Sequence, residues 1–191
     1  ATASPAPGEV PARTGRAPAL APYYPKGGRA WDGPVIAREI ENAVTANVEF
    51  VRSILSRPPQ TNEIGRSAVL MPAYARIATL TGLPLRILEV GASAGLNLLW
   101  DRFRYDLGGH HVGDPNAPVT VKADWNGHWP GITSLPRVVE RRGCDRTPID
   151  LGAAGEADRL MSYMWPDQTE RVARLEGAIA LAQQEIGRAH V

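Results

Sequence analysis

The 191-residue chain is long enough for one domain with a sizeable core, and its 43% hydrophobic and 21% charged residues are typical of a globular protein. A net charge of +1 gives no reason to expect a nucleic-acid or membrane partner, and no apolar run reaches the ~20 residues of a membrane span. Cys144 is the only cysteine, which excludes an internal disulfide and a cysteine-based zinc site. With no membrane span and no visible signal peptide we expect a cytoplasmic protein, and we expect no metal because the aspartates and histidines over 101–114 lack a known ligand spacing.

The N-terminal part predicts a leader followed by helices. Residues 1–33 are rich in proline and alanine and predict a segment without regular structure. In the helical region, residues 34–82, apolar residues spaced three or four apart predict one amphipathic helix over 34–56. A second helix is predicted over 64–81, and because it is apolar on both faces we expect it to be buried nearly all round.

Residues 83–185 predict strands and helices in alternation. Residues 85–90 predict a buried strand, residues 91–95 a glycine turn, and the apolar segment from Leu96 the start of a helix. Alternating apolar residues over 103–107 and 119–125 predict an inserted β-hairpin or meander. A strand over 137–140 and helices over 156–164 and from about 166 follow. This order predicts an α/β fold with a parallel sheet that is incomplete in this chain, beneath an N-terminal helical cover.

The last six residues, 186–191, are predicted to be a non-native tail. The codons ATC GGA AGA GCA CAC GTC encode them, and these codons belong to the start of a common short-read sequencing adapter. We therefore expect the natural protein to continue beyond Glu185.

The turn at residues 91–95 carries the candidate chemistry. Glu89 ends the strand, where its carboxylate can bind an ammonium or hydroxyl group, and Ser93 can donate a hydrogen bond. Gly91 and Gly95 let the backbone approach a ligand. The pattern E-x-G-x-S-x-G is a variant of the turn that binds nucleotide-type cofactors in Rossmann-like domains. Asp145, with Glu140 behind it, is the candidate acid for ribose hydroxyls.

Two alternatives remain open for the same turn. Gly-Ala-Ser-Ala-Gly also matches G-x-S-x-G, the nucleophile elbow of serine hydrolases, with Ser93 as nucleophile and Asp145 or Asp150 as the acid. None of the histidines is well placed for that triad: they are His110, His111, His128 and His190. The other alternative is a structural turn that binds nothing.

Polar segments elsewhere have two interpretations each. In residues 60–66, Thr61 or Asn62 caps the second helix with Glu63 in its first turn, or the segment forms a polar lid over the glycine turn. Asp167 suits a helix start. Asn62, Glu63 and Asp167 are also candidates to orient or deprotonate an acceptor. A group of arginines predicts a solvated face: Arg137, Arg141, Arg142 and Arg146.

Several of these runs, in the same order, resemble an uncharacterised bacterial family, DUF2332. They are QTNEIGR (60–66), LEVGASAGLNL (88–98), GDP (113–115), RRGCD (141–145) and WPDQ (165–168). That family resembles Rossmann-like S-adenosylmethionine-dependent methyltransferases. The resemblance implies a methyltransferase-like fold, truncation at both ends, and S-adenosylmethionine as cofactor. It places the cofactor at these residues: Glu89, Gly91, Ser93, Gly95, Asn97 and, at the ribose, Asp145. It leaves the acceptor and the oligomeric state open.

Overall fold

The computed structural model describes residues 15–24, 27–57, 59–165 and 167–188, and side chains as far as Glu185. Residues 1–14 of the predicted leader, Pro166 and residues 189–191 of the predicted tail, including His190, lie outside these ranges. The fold is mixed α/β with a small parallel sheet. It divides into two units, Ala1–Thr61 with Ala154–Val172 and Asn62–Ala153 with Ala173–Val191.

The first unit contains α1 (Gly33–Ala46), α2 (Val48–Leu55) and α4 (Glu156–Met161). The prediction of one helix over 34–56 is wrong, because the helix is interrupted at Asn47. The Asn47 side chain donates from Nδ2 to the Ala43 carbonyl at 2.8 Å. Such local side-chain bonds compete with helical backbone bonds, which explains the break.

A small apolar cluster joins the N-terminal segment to α1. Ala17 and Leu20 are buried together with Ile36 and Ala43 of α1. The short 3-10 helix Ala21–Tyr23 follows Leu20 directly. Part of the segment predicted to lack regular structure therefore packs against α1.

The second predicted helix is present, but the expectation that it is buried nearly all round is wrong, because Val69, Ile77 and Leu80 are exposed. A 3-10 turn, Ile64–Arg66, leads directly into α3 (Ser67–Thr81), so a helical segment over 64–81 is confirmed. The helix ends at Gly82, whose φ of +66° suits a left-handed C-cap. The last helix, α5 (Thr169–Arg188), begins in the first unit and continues into the second.

The parallel sheet consists of β1 (Leu85–Val90) and β5 (Val138–Cys144), in register from Arg86 opposite Glu140 to Val90 opposite Cys144. The predicted strand over 85–90 is confirmed, whereas the strand predicted over 137–140 runs four residues further. One face of β1 is buried through Leu85 and Ile87. The opposite face exposes Leu88 and Val90.

The predicted hairpin is present, but its second strand is different. β2 (Arg104–Leu107) pairs antiparallel with β3 (His110–Val112) across Gly108 and Gly109. The second alternating run forms β4 (Thr120–Ala123), which pairs parallel with the other edge of β2. Alternation predicts strands and not their partners, and the nearer strand takes the antiparallel position because a two-residue loop allows it.

Among the residues that the structure describes, none of the helices combines the length and the apolar composition needed to cross a membrane.

Candidate functional site

The candidate site lies at the carboxyl ends of β1 and β5. Because the strands are parallel, these ends meet at one edge of the sheet, the usual position of ligands in open α/β sheets. The turn of residues 91–95 folds over the end of β5. The backbone N–H groups of Gly91 and Ala92 both donate to the Cys144 carbonyl, at 2.8 and 3.1 Å.

A glycine in β5 makes this close approach possible. A Cβ atom built on Gly143 would lie 2.7 Å from the Ala92 Cβ and 3.1 Å from the Leu98 Cδ1. The first distance is shorter than packed carbon atoms allow, so only glycine fits here without movement of the turn. Gly143 lies beyond the strand predicted over 137–140, so the sequence pattern does not indicate this role. Its signal would have been a glycine inside a strand, which often marks close approach of another backbone segment.

Ser93 lies at the centre of the turn in a left-handed conformation, with φ of +54°. Its backbone N–H donates to Asp145 Oδ2 at 2.8 Å, and its Oγ accepts a hydrogen bond from Asn62 Nδ2, also at 2.8 Å. Asn62 is buried, with 4% of its surface exposed. The structure therefore brings together three predicted residues that are far apart in the sequence.

Asp145 has a local partner as well. Its Oδ1 accepts from the backbone N–H of Thr147 at 2.8 Å. The hydrogen bonds from Thr147 and then from Ser93 hold the pKa of the Asp145 carboxyl below its ordinary value. An ionised carboxylate offers about four lone-pair sites, so Asp145 can accept from a ligand as well. Glu140, expected behind Asp145, instead pairs with Arg86 and Arg142.

Glu89 and Asn97 present acceptor atoms with no protein partner. Glu89 Oε2 and Asn97 Oδ1 are buried and accept no hydrogen bond within the described structure. Burial raises the pKa of the Glu89 carboxyl, and the positive charge of Arg66 partly offsets that rise. Unpaired buried acceptors are rare in native proteins, so a ligand donor is a physical explanation for both atoms.

The segment after the turn is not the α-helix that the apolar spacing predicts. Residues Leu96–Arg102 form a seven-residue 3-10 helix that begins at Gly95, where φ is +69°. Asp101 and the Leu98 carbonyl anchor this helix to Arg141 of β5, at 2.5 and 3.0 Å. Arg141 is therefore partly buried, and the prediction of a solvated arginine face is wrong for this residue.

The turn consequently lacks the anion-binding character expected of a helix start. Four of its N–H groups are already donated within the protein: those of Gly91 and Ala92 to Cys144, of Ser93 to Asp145, and of Gly95 to Ala92. A phosphate-binding turn needs these donors directed at the ligand. The site instead offers hydrogen-bond acceptors to a ligand, namely Glu89 Oε2 and Asn97 Oδ1.

The remaining candidates have separate positions. Glu63 caps the 3-10 turn by accepting from Gly65 N–H at 3.0 Å, so the prediction that Thr61 or Asn62 is the cap is wrong. Asp167 is exposed and belongs to the first unit. In the described ranges, no three His, Cys, Asp or Glu side chains lie close enough together to hold a metal ion.

Comparison with known proteins gives one match. A family model described as an uncharacterized protein conserved in bacteria (DUF2332) matches residues 10–188. No curated protein and no solved structure matches the chain.

Proposed function

The chain belongs to the DUF2332 family of uncharacterised bacterial proteins, and from the geometry of its site we propose that it binds S-adenosylmethionine and acts as a methyltransferase. The observation that carries the proposal is the buried Glu89 Oε2, an acceptor without a protein partner at the end of β1. A carboxylate in that state is well suited to bind a ligand ammonium group.

The balance of donors and acceptors selects the class of ligand. The 91–95 turn donates its N–H groups inward, which disfavours a dinucleotide whose pyrophosphate needs them. Glu89, Asn97 and the Asp145 carboxylate favour a ligand rich in donors. S-adenosylmethionine carries such donors in its ammonium, its ribose hydroxyls and its adenine amino group.

In this proposal, Glu89 binds the ammonium group and Asp145 the ribose, while Gly91, Ser93, Gly95 and Asn97 surround the cofactor. The β1–β5 pair is then the start of a Rossmann-like, methyltransferase-like sheet. Bound S-adenosylmethionine supplies an electrophilic methyl group on its sulfonium, and the main task of the chain is to align an acceptor with it. Asn62 fixes Ser93 and is the candidate nearest to the turn in the second unit.

Calorimetric titration of S-adenosylmethionine and S-adenosylhomocysteine into the protein tests the proposal. We expect saturable binding that Glu89→Gln weakens by about tenfold or more, the effect of losing a charged hydrogen bond. Glu140→Gln is the matched control, because Glu140 also lies in this sheet but pairs with Arg86 and Arg142. Absence of binding by the folded protein would refute the proposal. Binding without conversion to S-adenosylhomocysteine in cell extract would indicate a binding module.

One observation favours a second candidate, a serine hydrolase. The left-handed φ of Ser93 resembles the strained serine of a nucleophile elbow. Against it, Ser93 Oγ accepts from Asn62, and two of the histidines have partners at the hairpin: His110 stacks on Trp129, and His111 lies 3.7 Å from Asp106 Oδ1. A fluorophosphonate probe that labels the protein but not Ser93→Ala would establish the hydrolase.

A further inference from the structure

We propose that Arg66 binds the carboxylate of the ligand's amino-acid end, opposite the ammonium group at Glu89. This inference rests on the S-adenosylmethionine site proposed above and names the residue that recognises the second charge of the methionine half. The site would then distinguish an intact α-amino acid from an amine or an uncharged thioether.

The position of Arg66 follows from the segment that carries it. Asn62 anchors the segment to the glycine turn through its 2.8 Å hydrogen bond to Ser93. Four residues later, Arg66 ends the 3-10 turn Ile64–Arg66, which packs against both α3 and the 3-10 helix Leu96–Arg102. Arg66 therefore belongs to a segment that contacts both the 91–95 turn and the 3-10 helix after it, and Glu89 lies just before that turn.

The side chain of Arg66 is accessible to a ligand. Arg66 is exposed, and in the described part of the chain its guanidinium makes no ion pair or hydrogen bond. Other arginines around the sheet do have acidic partners: Arg86 and Arg142 pair with Glu140, Arg141 pairs with Asp101, and Arg102 lies near Asp101 and Glu185. Arg66 is thus a cation beside the site that is available to a ligand.

Arg66 and Glu89 also interact electrostatically, without direct contact between their side chains. The charge of Arg66 lowers the pKa of Glu89, yet the two side chains form no direct ion pair in the described structure. A zwitterion bound between them would present its ammonium to the carboxylate and its carboxylate to the guanidinium. The planar guanidinium suits such a carboxylate because it can donate two parallel hydrogen bonds.

Titration with three probes tests the inference: S-adenosylmethionine, decarboxylated S-adenosylmethionine and 5′-methylthioadenosine. We expect Arg66→Gln to weaken S-adenosylmethionine binding by about 10- to 100-fold and to leave the other two affinities within about twofold. Arg66→Lys should recover part of the loss. Arg76→Gln, at another exposed arginine of α3, should bind all three probes as the parent does.

The outcomes separate the two proposals. Unchanged S-adenosylmethionine affinity in Arg66→Gln, or an equal loss for all three probes, would overturn the role of Arg66 and leave the cofactor site intact. Failure of the unaltered protein to bind any of the probes would overturn both proposals.

Discussion

Two turns in the second unit reach left-handed backbone conformations in different ways. In the loop between β2 and β3, both such residues are glycine, Gly108 at φ +60° and Gly109 at φ +84°, as a type I′ turn requires. In the 91–95 turn, Ser93 has a positive φ between Gly91 and Gly95. Among the described residues it is the only non-glycine residue in this conformation.

The contacts that support the two turns differ in the same way. Gly109 N–H donates to Asp106 Oδ1, three residues away, at 3.3 Å. Ser93 is held by Asp145 and Asn62, which are 52 and 31 residues away. Local chemistry is sufficient for Gly109, although the neighbouring Gly108 donates its N–H to the distant Ala123 carbonyl at 2.9 Å. The strained serine, by contrast, depends on two distant partners that over-determine its conformation. Strain maintained in this way is typical of functional sites.

The largest effect on stability is expected from Gly143→Ala, which disrupts the packing of the 91–95 turn against β5. The new Cβ would lie 2.7 Å from the Ala92 Cβ, so the turn must move, and we expect a loss of about 1–3 kcal/mol in the free energy of unfolding. Urea unfolding measures it. Adding Ala92→Gly removes the closest contact and should recover much of the loss. A double variant no more stable than Gly143→Ala would mean that Ala92 is not the obstacle.

The next largest effect is expected from Ser93→Ala, compared with Asp106→Ala in the hairpin. Ser93→Ala keeps the left-handed strain and leaves the buried Asn62 amide without its acceptor, a loss of about 1–2 kcal/mol. Asp106→Ala removes an exposed hydrogen bond and should change stability by no more than about 0.5 kcal/mol. Denaturant unfolding of both variants measures the difference. Equal losses would mean that long-range support is no stronger than local support.

The distance along the sequence between contacting residues also explains what the sequence could predict. The β1 strand, the α3 helix and the hairpin loop follow from periodicity and from adjacent glycines. The hydrogen bond from Asn62 to Ser93 joins residues 31 apart, and the sequence offers contact between residues 60–66 and the turn only as one of two interpretations, without naming the bonded pair. Asp145 was predicted to bind a ligand, but its bonds to Ser93 and Thr147 also give it a structural role.

Neither the strand that β4 pairs with nor the type of helix after Gly95 could be predicted from the local sequence pattern. Alternation over 119–125 indicates a strand, but its parallel pairing with β2 depends on how the chain returns to that edge. The apolar spacing after Gly95 fits both an α-helix and the 3-10 helix found, since i and i+3 positions share a face in both. The bonds from Arg141 to Asp101 and the Leu98 carbonyl belong to tertiary structure.

A smaller effect of opposite sign, a gain in stability, is expected from Glu89→Gln, because Glu89 Oε2 is a buried acceptor without a hydrogen-bond partner in the described structure. Burial raises the pKa of the Glu89 carboxyl above its ordinary value, so ionisation of this group increasingly favours the unfolded chain as the pH rises. Glu89→Gln should therefore stabilise the protein slightly at pH 7, a small gain because the residue is only partly buried. At pH 3.5, where both states of the parent bind the proton, the gain should vanish. Thermal unfolding at the two pH values measures it, and a stabilisation independent of pH would exclude the carboxylate charge as its cause.

The smallest effect is expected from Gly109→Asn in the hairpin loop. Asparagine accepts a left-handed conformation more readily than other side chains, and a Cβ atom on Gly109 would meet nothing within 4 Å. Stability should therefore change by less than about 0.5 kcal/mol. Gly108→Asn is the matched comparison, because a Cβ there would lie 2.9 Å from the Trp125 Cβ, so it should destabilise the protein clearly more in the same urea experiment. If Gly109→Asn destabilises the protein as much as Gly143→Ala does, local turn chemistry is not sufficient for the hairpin, and both turns depend on tertiary support.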